Sequence, residues 1–497
     1  MKLAQLLSIY PQLKWGQFAT HDVVHLCDDS RKVTKGSVFV AVRGYQADGH
    51  NYLAPAIAQG AIALIVEDES SIPESYQGAV VKVENTRHAL NQLASKYYGD
   101  PAKNLFCIGV TGTNGKTSIT YLLEAIFNKY GWKTGVMGTI DHHIGDQVWK
   151  TELTTPSVLE LHRRLQEFVS LDAKAAVFEV SSHALTQHRV DGLLFQVGIF
   201  TNLTRDHLDY HKNLEEYFLA KQRLFKELPL IQGNRHFVAI INSDDEFGKR
   251  MEVADGVKVW TYGKKQADYS LRILEESFAG VEFHLECPRG TAEIFLPLPG
   301  EHNVYNAVAA IAAAISAGVS LETCKLALES FAGVPGRLQK INNDKGLHVF
   351  VDYAHTDKAL ESVLLALRKV GEKVPENFNL ITVFGCGGDR DPGKRPLMMT
   401  AAKKYSDTVF LTSDNPRTED PLKIINDAMK VVSKEEIDHN VFVEPDRKRA
   451  IERAIHSAQS GDVILIAGKG HEDYQIIGRE KVHFSDAEVV REFFKNA

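Results

Sequence analysis

The residues best suited to chemistry in this chain stand at the ends of short apolar runs. The most specific group is Gly109-Val110-Thr111-Gly112-Thr113-Asn114-Gly115-Lys116-Thr117-Ser118. Gly112 and Gly115 permit a backbone curl whose N–H groups turn inward, and a helix starting there adds the partial positive charge of its N-terminus. Such a loop cradles phosphate, with Lys116 placed for the β- and γ-phosphates of a nucleotide and the Thr117 hydroxyl for Mg²⁺. The strict phosphate-loop pattern wants glycine five places before Gly115, where this chain has Val110, so Gly109 and Gly112 must supply the curl. Further on, Glu179 leads into Ser181-Ser-His183, and His207 lies in Thr201-Asn-Leu-Thr-Arg-Asp-His-Leu-Asp209. Carboxylate is an ordinary ligand for Mg²⁺ but imidazole is an unusual one, so His207 by itself reads as a hydrogen-bonded structural histidine. Lys221 falls within the helical pattern Tyr217-Phe-Leu-Ala-Lys-Gln-Arg-Leu-Phe225 and by itself reads as a solvated charge. Asp352-Tyr-Ala-His355, Gly385-Cys-Gly-Gly-Asp-Arg-Asp391, Asp414-Asn-Pro-Arg417 and Gly468-Lys-Gly-His-Glu472 crowd the last third. On residue type alone, Asp414 to Arg417 is a proline turn with an exposed arginine.

These groups need elements to hold them. The run Leu105 to Val110 is apolar and rich in branched residues, which predicts a buried strand. Ile119 to Lys129 has helical spacing, with Tyr121, Leu122, Ala125 and Ile126 on one face. Strands are predicted at Ala175 to Val180, Val197 to Asn202 and Phe237 to Asn242, and a helix at Leu159 to Phe168. Strands alternating with helices make a doubly wound, mostly parallel sheet, and ligands gather at the carboxyl ends of its strands. All three strands run into polar, ligand-rich segments there. Residues 1 to about 97 predict a small α/β unit, with strands at Ser37 to Val42 and Ile62 to Val66 and a helix at Tyr52 to Gln59. After the breaker-rich Gly333-Val-Pro-Gly-Arg337, strands at Val349 to Asp352, Leu380 to Phe384, Thr408 to Leu411 and Val463 to Ala467 predict another α/β unit.

Length and composition bound the rest. A chain of 497 residues implies about three domains. A hydrophobic content of 44% is enough for large cores. A net charge of -7 argues against a general nucleic-acid surface, though not against a local basic groove. The five cysteines, Cys27, Cys107, Cys287, Cys324 and Cys386, have no CxxC spacing and read as reduced thiols of a cytoplasmic protein. No charged-then-apolar leader is present, and the longest apolar runs are too short to span a membrane.

Several motifs occur in an order found in one family. They are Gly112-Thr-Asn-Gly-Lys-Thr117, Glu179-Val-Ser-Ser-His183, Thr201-Asn-Leu, Asp206-His-Leu-Asp209, the Ala220-Lys221 helix, Gly300-Glu-His-Asn303 with Asn306, and Gly336-Arg337. Asp29-Ser-Arg31, Gln46-Ala-Asp-Gly49, Thr154-Thr-Pro156, Asp352-Tyr-Ala-His355 and Gly468-Lys-Gly-His-Glu472 extend the match. Through all of these the chain resembles the Mur ligases, which build the peptide stem of peptidoglycan. The resemblance implies an α/β protein of three domains: residues 1–97 for the UDP-sugar, a P-loop-type ATPase domain over 98–333, and a Rossmann-like amino-acid domain over 334–497. It implies an ATP-dependent ligase that activates the D-glutamate γ-carboxyl of UDP-N-acetylmuramoyl-L-alanyl-D-glutamate as an acyl phosphate and joins it to meso-2,6-diaminopimelate. A monomer with Mg²⁺, and with no nucleic-acid or membrane partner, is expected.

The resemblance also assigns roles. Thr117, Glu179, His207 and Lys221 match magnesium ligands, Lys221 after carbamylation by CO₂, and with Lys116 they form the catalytic set. Residues Gly112 to Ser118 (Gly112, Thr113, Asn114, Gly115, Lys116, Thr117, Ser118), together with Asn303, Arg337 and Asp352, match ATP contacts. Asp28, Ser30, Tyr45, Gln46, Ala47, Thr154, Thr155, Ser181, Gln187 and Arg189 match the UDP-sugar dipeptide site. Arg390, Asp414, Asn415, Pro416, Arg417, Gly468 and Glu472 match the diaminopimelate site. There Arg417 can clasp the distal carboxylate in a two-pronged fork while Asp414 and Asn415 take the distal ammonium. Lysine lacks that carboxylate and would leave Arg417 unpaired, a rejection of about 10⁴-fold. Lysine addition and folate polyglutamylation are the alternatives within the class, and the Asp29–Arg31 and Gln46–Gly49 segments favour a UDP-sugar. A guanine-binding switch would want Asn-Lys-x-Asp, which is missing.

Overall fold

The computed structural model describes residues 1–10, 18–44, 47–151, 153–207, 210–234, 236–374 and 377–496. Tyr45 and Gln46, assigned above to the UDP-sugar site, lie outside the described residues. The chain divides into two compact units, one built from 1–270, 287–290 and 308–324, the other from 271–286, 291–307 and 325–497.

The first unit opens with a four-stranded parallel sheet ordered β1 (Leu26–Cys27), β2 (Ser37–Val40), β3 (Ala61–Val66) and β4 (Ala79–Lys82). The helix expected at 52–59 is Leu53–Ala58. A larger sheet follows, made of β5 (Phe106–Thr111), β6 (Thr134–Met137), β7 (His142–Ile144), β8 (Gln147–Trp149), β9 (Ala175–Glu179), β10 (Phe195–Phe200), β11 (Val238–Asn242) and β12 (Lys258–Gly263). Their order is β12-β11-β10-β5-β9-β6-β7-β8, parallel throughout except at β6-β7 and β7-β8. Strands covered on both faces cannot alternate polar and apolar residues, which is why β5, β9 and β10 read as continuous apolar runs.

The helix Lys116–Tyr130 lies between two left-handed glycines, Gly115 (φ 89°) and Gly131 (φ 90°). Its buried face is Ile119, Leu122, Leu123, Ile126 and Phe127, the i, i+3, i+4, i+7, i+8 stripe of a helix against a core. Tyr121 and Ala125 are only half-buried, so the expected face was rotated from the true one. β10 ends two residues earlier than expected: Thr201 N still donates to Thr111 O at 3.0 Å, but Asn202 turns to bond the glycine loop. Asn202 accepts from Thr113 N at 2.8 Å through its carbonyl and from Asn114 N at 3.0 Å through its side chain.

Strands β13 (Tyr269–Ser277), β14 (Gly280–Cys287) and β15 (Gly290–Leu296) neighbour one another in order, and most of their residues belong to the second unit. The main sheet of that unit consists of β16 (Gln339–Ile341), β17 (His348–Asp352), β18 (Leu380–Cys386), β19 (Thr408–Ser413), β20 (Val441–Val443) and β21 (Val463–Ala467), ordered β16-β17-β21-β18-β19-β20. Only β16 runs antiparallel to its neighbour. A hairpin of β22 (Tyr474–Ile477) and β23 (Glu480–His483) follows, and the helix Asp486–Asn496 comes last. Among the described residues no helix is long and apolar enough to cross a membrane.

Candidate active site

In the first unit the glycine loop curls as its composition requires. Gly112 has φ 145°, and a Cβ there would run into the Thr201 hydroxyl, so any side chain would push the loop away from the strand end it binds. Thr117, in the first turn of the helix, donates its hydroxyl to Glu179 Oε1 at 2.9 Å. Glu179 is buried at the end of β9 and receives two more bonds from Thr139, from its N–H at 2.8 Å and its hydroxyl at 3.0 Å. Thr139 escaped the sequence reading, because a lone threonine between two strands carries no pattern of its own.

Both lysines meet at one carbonyl. Lys116 Nζ donates to Gly112 O at 2.9 Å and Thr113 O at 2.8 Å, folded back on its own loop. Lys221 Nζ donates to the same Gly112 O at 2.9 Å and lies 4.4 Å from the Tyr217 ring centroid. Lys221 is 1% exposed, which overturns its reading as a solvated charge. The helix Leu214–Lys226, capped by Asn213, turns Tyr217, Phe218, Lys221, Leu224 and Phe225 inward, and the lysine rides on that apolar stripe. Burial, and then the neighbouring Lys116 charge, hold the Lys221 amine well below the usual lysine range. His207 is exposed, adopts φ 51°, and its ring centroid stands 5.1 Å from His183 and 6.0 Å from Tyr217.

Five of the residues assigned to the UDP-sugar dipeptide form one network beside Glu179. Thr155 Oγ1 donates to Glu179 O at 2.7 Å and accepts from Ser181 N at 3.0 Å. Arg189 donates to Thr155 O at 2.9 Å and Gln187 Oε1 at 2.9 Å, and Thr154 meets Thr139 at 3.1 Å between hydroxyls. Asp28 and Ser30 sit on the turn after β1, where Asp29 caps a short 3₁₀ helix, and Ala47 O accepts from Gly44 N at 2.9 Å.

The second unit contains a cavity of about 520 Å³ at the carboxyl ends of β17, β18, β19 and β21. Arg390, Asp414, Asn415, Arg417, Gly468 and Glu472 all line it, with Tyr353, His355, Lys394 and Tyr474. Pro416 is buried behind Arg417, its carbonyl against Gly388. Arg417 adopts φ 52°, pairs its backbone with the β22–β23 hairpin, and donates Nη1 to Gly388 O at 2.7 Å. A non-glycine residue held in the left-handed region is a strained feature that functional sites retain. Beneath the cavity, Lys469 Nζ bonds Asp414, Asn415 and Glu472. Behind it the buried Arg447 donates to Asp486 at 2.7 Å through both Nε and Nη2, and Nη2 also donates to Ala467 O at 2.9 Å. Sequence reasoning used Gly468 and Glu472 and passed over the lysine between them.

The remaining ATP-type residues also belong to the second unit. Asn303 is buried, donating to Pro299 O at 2.8 Å and accepting from Asn306 at 3.3 Å. Asp352 gives both carboxylate oxygens to backbone, to Leu338 N at 2.7 Å and Ala354 N at 2.8 Å, and burial pushes its carboxyl up. Arg337 lies over the Tyr353 ring, and among the described residues its buried Nε has no hydrogen-bond partner.

Three family models match in succession: the Mur ligase catalytic domain over residues 23–98, the Mur ligase middle domain over 110–314, and the Mur ligase glutamate ligase domain over 336–470. The chain belongs to the Mur ligase family. Two curated relatives in that family are named UDP-N-acetylmuramoyl-L-alanyl-D-glutamate–2,6-diaminopimelate ligase. The one from Geobacter metallireducens is 41% identical, with 100% of this chain and 98% of the relative covered. The one from Geobacillus kaustophilus is 42% identical, with 99% of each covered. A solved Mur ligase structure of the same name is 36% identical, covers 100% of this chain and 99% of its own, and superposes with a TM-score of 0.74. The family's α/β architecture, expected from the motifs, is therefore that of this chain.

Proposed function

We propose that this chain joins meso-2,6-diaminopimelate to the D-glutamate γ-carboxyl of UDP-N-acetylmuramoyl-L-alanyl-D-glutamate, at the expense of ATP, in peptidoglycan precursor synthesis. The observation that carries this reading is the cavity of the second unit, where three arginines (Arg390, Arg395 and Arg417) and three carboxylates (Asp391, Asp414 and Glu472) line one space. The distal end of diaminopimelate bears one carboxylate and one ammonium, and a cavity with both signs of charge is what it needs. Lysine would satisfy only half of it. The full-length similarity to ligases of that name supports the same choice.

A carboxylate resists amines because its carbon is shielded by negative charge and oxide cannot leave. Transfer of the γ-phosphoryl group makes an acyl phosphate; the amine then attacks the acyl carbon and phosphate departs. The glycine loop and Lys116 bind and orient the nucleotide phosphates, once Lys116 lets go of Gly112 O and Thr113 O. The Thr155–Ser181–Arg189 network holds the dipeptide end of the UDP-sugar. The Thr117 hydroxyl and Glu179 carboxylate are hard oxygen donors already side by side, and they fit Mg²⁺. Unmodified, the Lys221 ammonium would repel such an ion. Its burial and depressed pKa favour the neutral amine that reacts with CO₂, and the carbamate would restore a donor. Bound Mg²⁺ would supply neutralising charge to the phosphates. The division at 97 and 333, with UDP-sugar, ATP and amino acid handled in that order, belongs to this proposal, as does a cytoplasmic monomer.

The test is phosphate release from ATP with the UDP-sugar dipeptide and one amino acid at a time. Turnover with meso-diaminopimelate and not with L-lysine is expected; equal rates would remove the role of Arg417.

A further inference from the structure

Lys469 is fully buried, and its ammonium has three N–H groups for three acceptors: Asp414 Oδ1 at 3.3 Å, Asn415 Oδ1 at 3.2 Å and Glu472 Oε2 at 3.2 Å. It does not line the cavity above it. The consequences fall on its partners. Asn415 Oδ1 also accepts from Ile476 N at 2.9 Å, so both of its lone pairs are used, and its Nδ2 donates to Glu472 Oε2 at 3.0 Å. Asn415 therefore has no acceptor left for a substrate ammonium, contrary to the role its position first suggested. Among the described residues, Asp414 Oδ2 and Glu472 Oε1 have no hydrogen-bond partner, and these are the oxygens left to receive a cation.

Charge points the same way. Asp414 and Glu472 carry two formal negative charges and Lys469 one positive, so this wall presents a single net negative charge to the cavity. One ammonium balances it. Without Lys469 the two carboxylates would repel each other, Asn415 would keep only its bonds to Ile476 N and Glu472, and Asp414 Oδ1 would lose the bond that turns Oδ2 toward the cavity. We propose that Lys469 is a positioning and specificity residue: an internal ammonium that orients Asp414, Asn415 and Glu472 and sets the wall to accept one amine of the incoming amino acid. This deepens the ligase reading above and rests on it.

The experiment compares wild type, Lys469→Met and Lys469→Met/Asp414→Asn by phosphate release, varying meso-diaminopimelate, ATP and the UDP-sugar dipeptide in turn. Lys469→Met should raise KM for diaminopimelate at least tenfold, with KM for the other two substrates within twofold. The double variant removes one carboxylate together with the ammonium and returns the wall to one negative charge, so it should recover at least threefold of that loss. A purely structural lysine would make the two losses add instead. An unchanged KM for diaminopimelate in Lys469→Met, a parallel rise for all three substrates, or a folded double variant with no recovery each overturns the proposal. Should the single variant fail to fold, the balanced double variant is expected to fold and to bind diaminopimelate better than Asp414→Asn alone binds it after correction for stability; equal or weaker binding counts against the proposal. A wild-type enzyme that turns over no amino acid defeats the ligase reading itself, whereas wild-type turnover with an unmoved Lys469→Met defeats only the role of Lys469.

Discussion

At the scale of single residues, Lys221 carries the largest consequence. A surface lysine would make a carbamate pointless; a buried one bonded to Gly112 O beside Lys116 makes the neutral amine accessible. Lys221→Ala should lower activity by at least about 100-fold, the range in which even the outer partners of metal ligands act. Added formate should return part of it, and ¹³C-bicarbonate should give a carbamate signal in wild type that the variant lacks. Arg417→Ala should bring the rates with meso-diaminopimelate and L-lysine to within about tenfold, from a wild-type ratio near 10⁴. The motif residues were legible because short glycine, carboxylate and lysine patterns survive in sequence. What was not legible was burial. The spacing around Lys221 fits an exposed helix as well as a buried one, and only the packing of Tyr217, Phe218 and Phe225 decides it.

At the scale of elements, the β6–β7 connection is held by an ionised histidine. His143 bonds Asp141 Oδ1 at 2.6 Å and, at 3.0 Å, Glu124 Oε2 on the phosphate-loop helix. Burial alone would favour the neutral ring, but the bonds to Asp141 and Glu124 prevail and lift its pKa to about 9. A folded-state pKa above the unfolded value of 6.5 gives stability that is complete below the unfolded pKa and lost as pH rises through the folded one. The melting temperature of wild type should therefore fall between pH 7 and pH 10, and His143→Leu should flatten that fall. The same connection carries Thr139, which holds Glu179. Strand positions were readable from apolar runs, yet the end of β10 was misplaced by two residues because its last bonds go to the glycine loop, and periodicity cannot report a partner. Gly112→Ala should raise KM for ATP at least tenfold by displacing that loop from Thr201.

At the scale of the whole molecule, the chemistry asks for an activated acid and an amine that never meet water first. The acyl-phosphate route makes a definite demand on atoms: one oxygen of the γ-carboxyl leaves with the phosphate. Dipeptide substrate labelled with ¹⁸O in that carboxyl should yield singly labelled phosphate; unlabelled phosphate would mean hydrolysis of ATP uncoupled from ligation. The α/β class and the order of segments were legible across the chain, since each parallel sheet repeats the strand-then-helix signature. The pairing of distant side chains was not, and Arg447 with Asp486 is the clearest case. That pair is wholly buried, and its guanidinium also reaches the carbonyl at the end of β21, from which the Gly468 to Glu472 turn departs. Asp486 opens the helix Asp486–Asn496. Trimming that helix away would strand a cation in the interior, at about 3–5 kcal/mol, and would slacken the turn beneath the second unit's cavity. A protease removing that helix would thus disarm the pocket proposed for the amino acid, whose own lining it never touched.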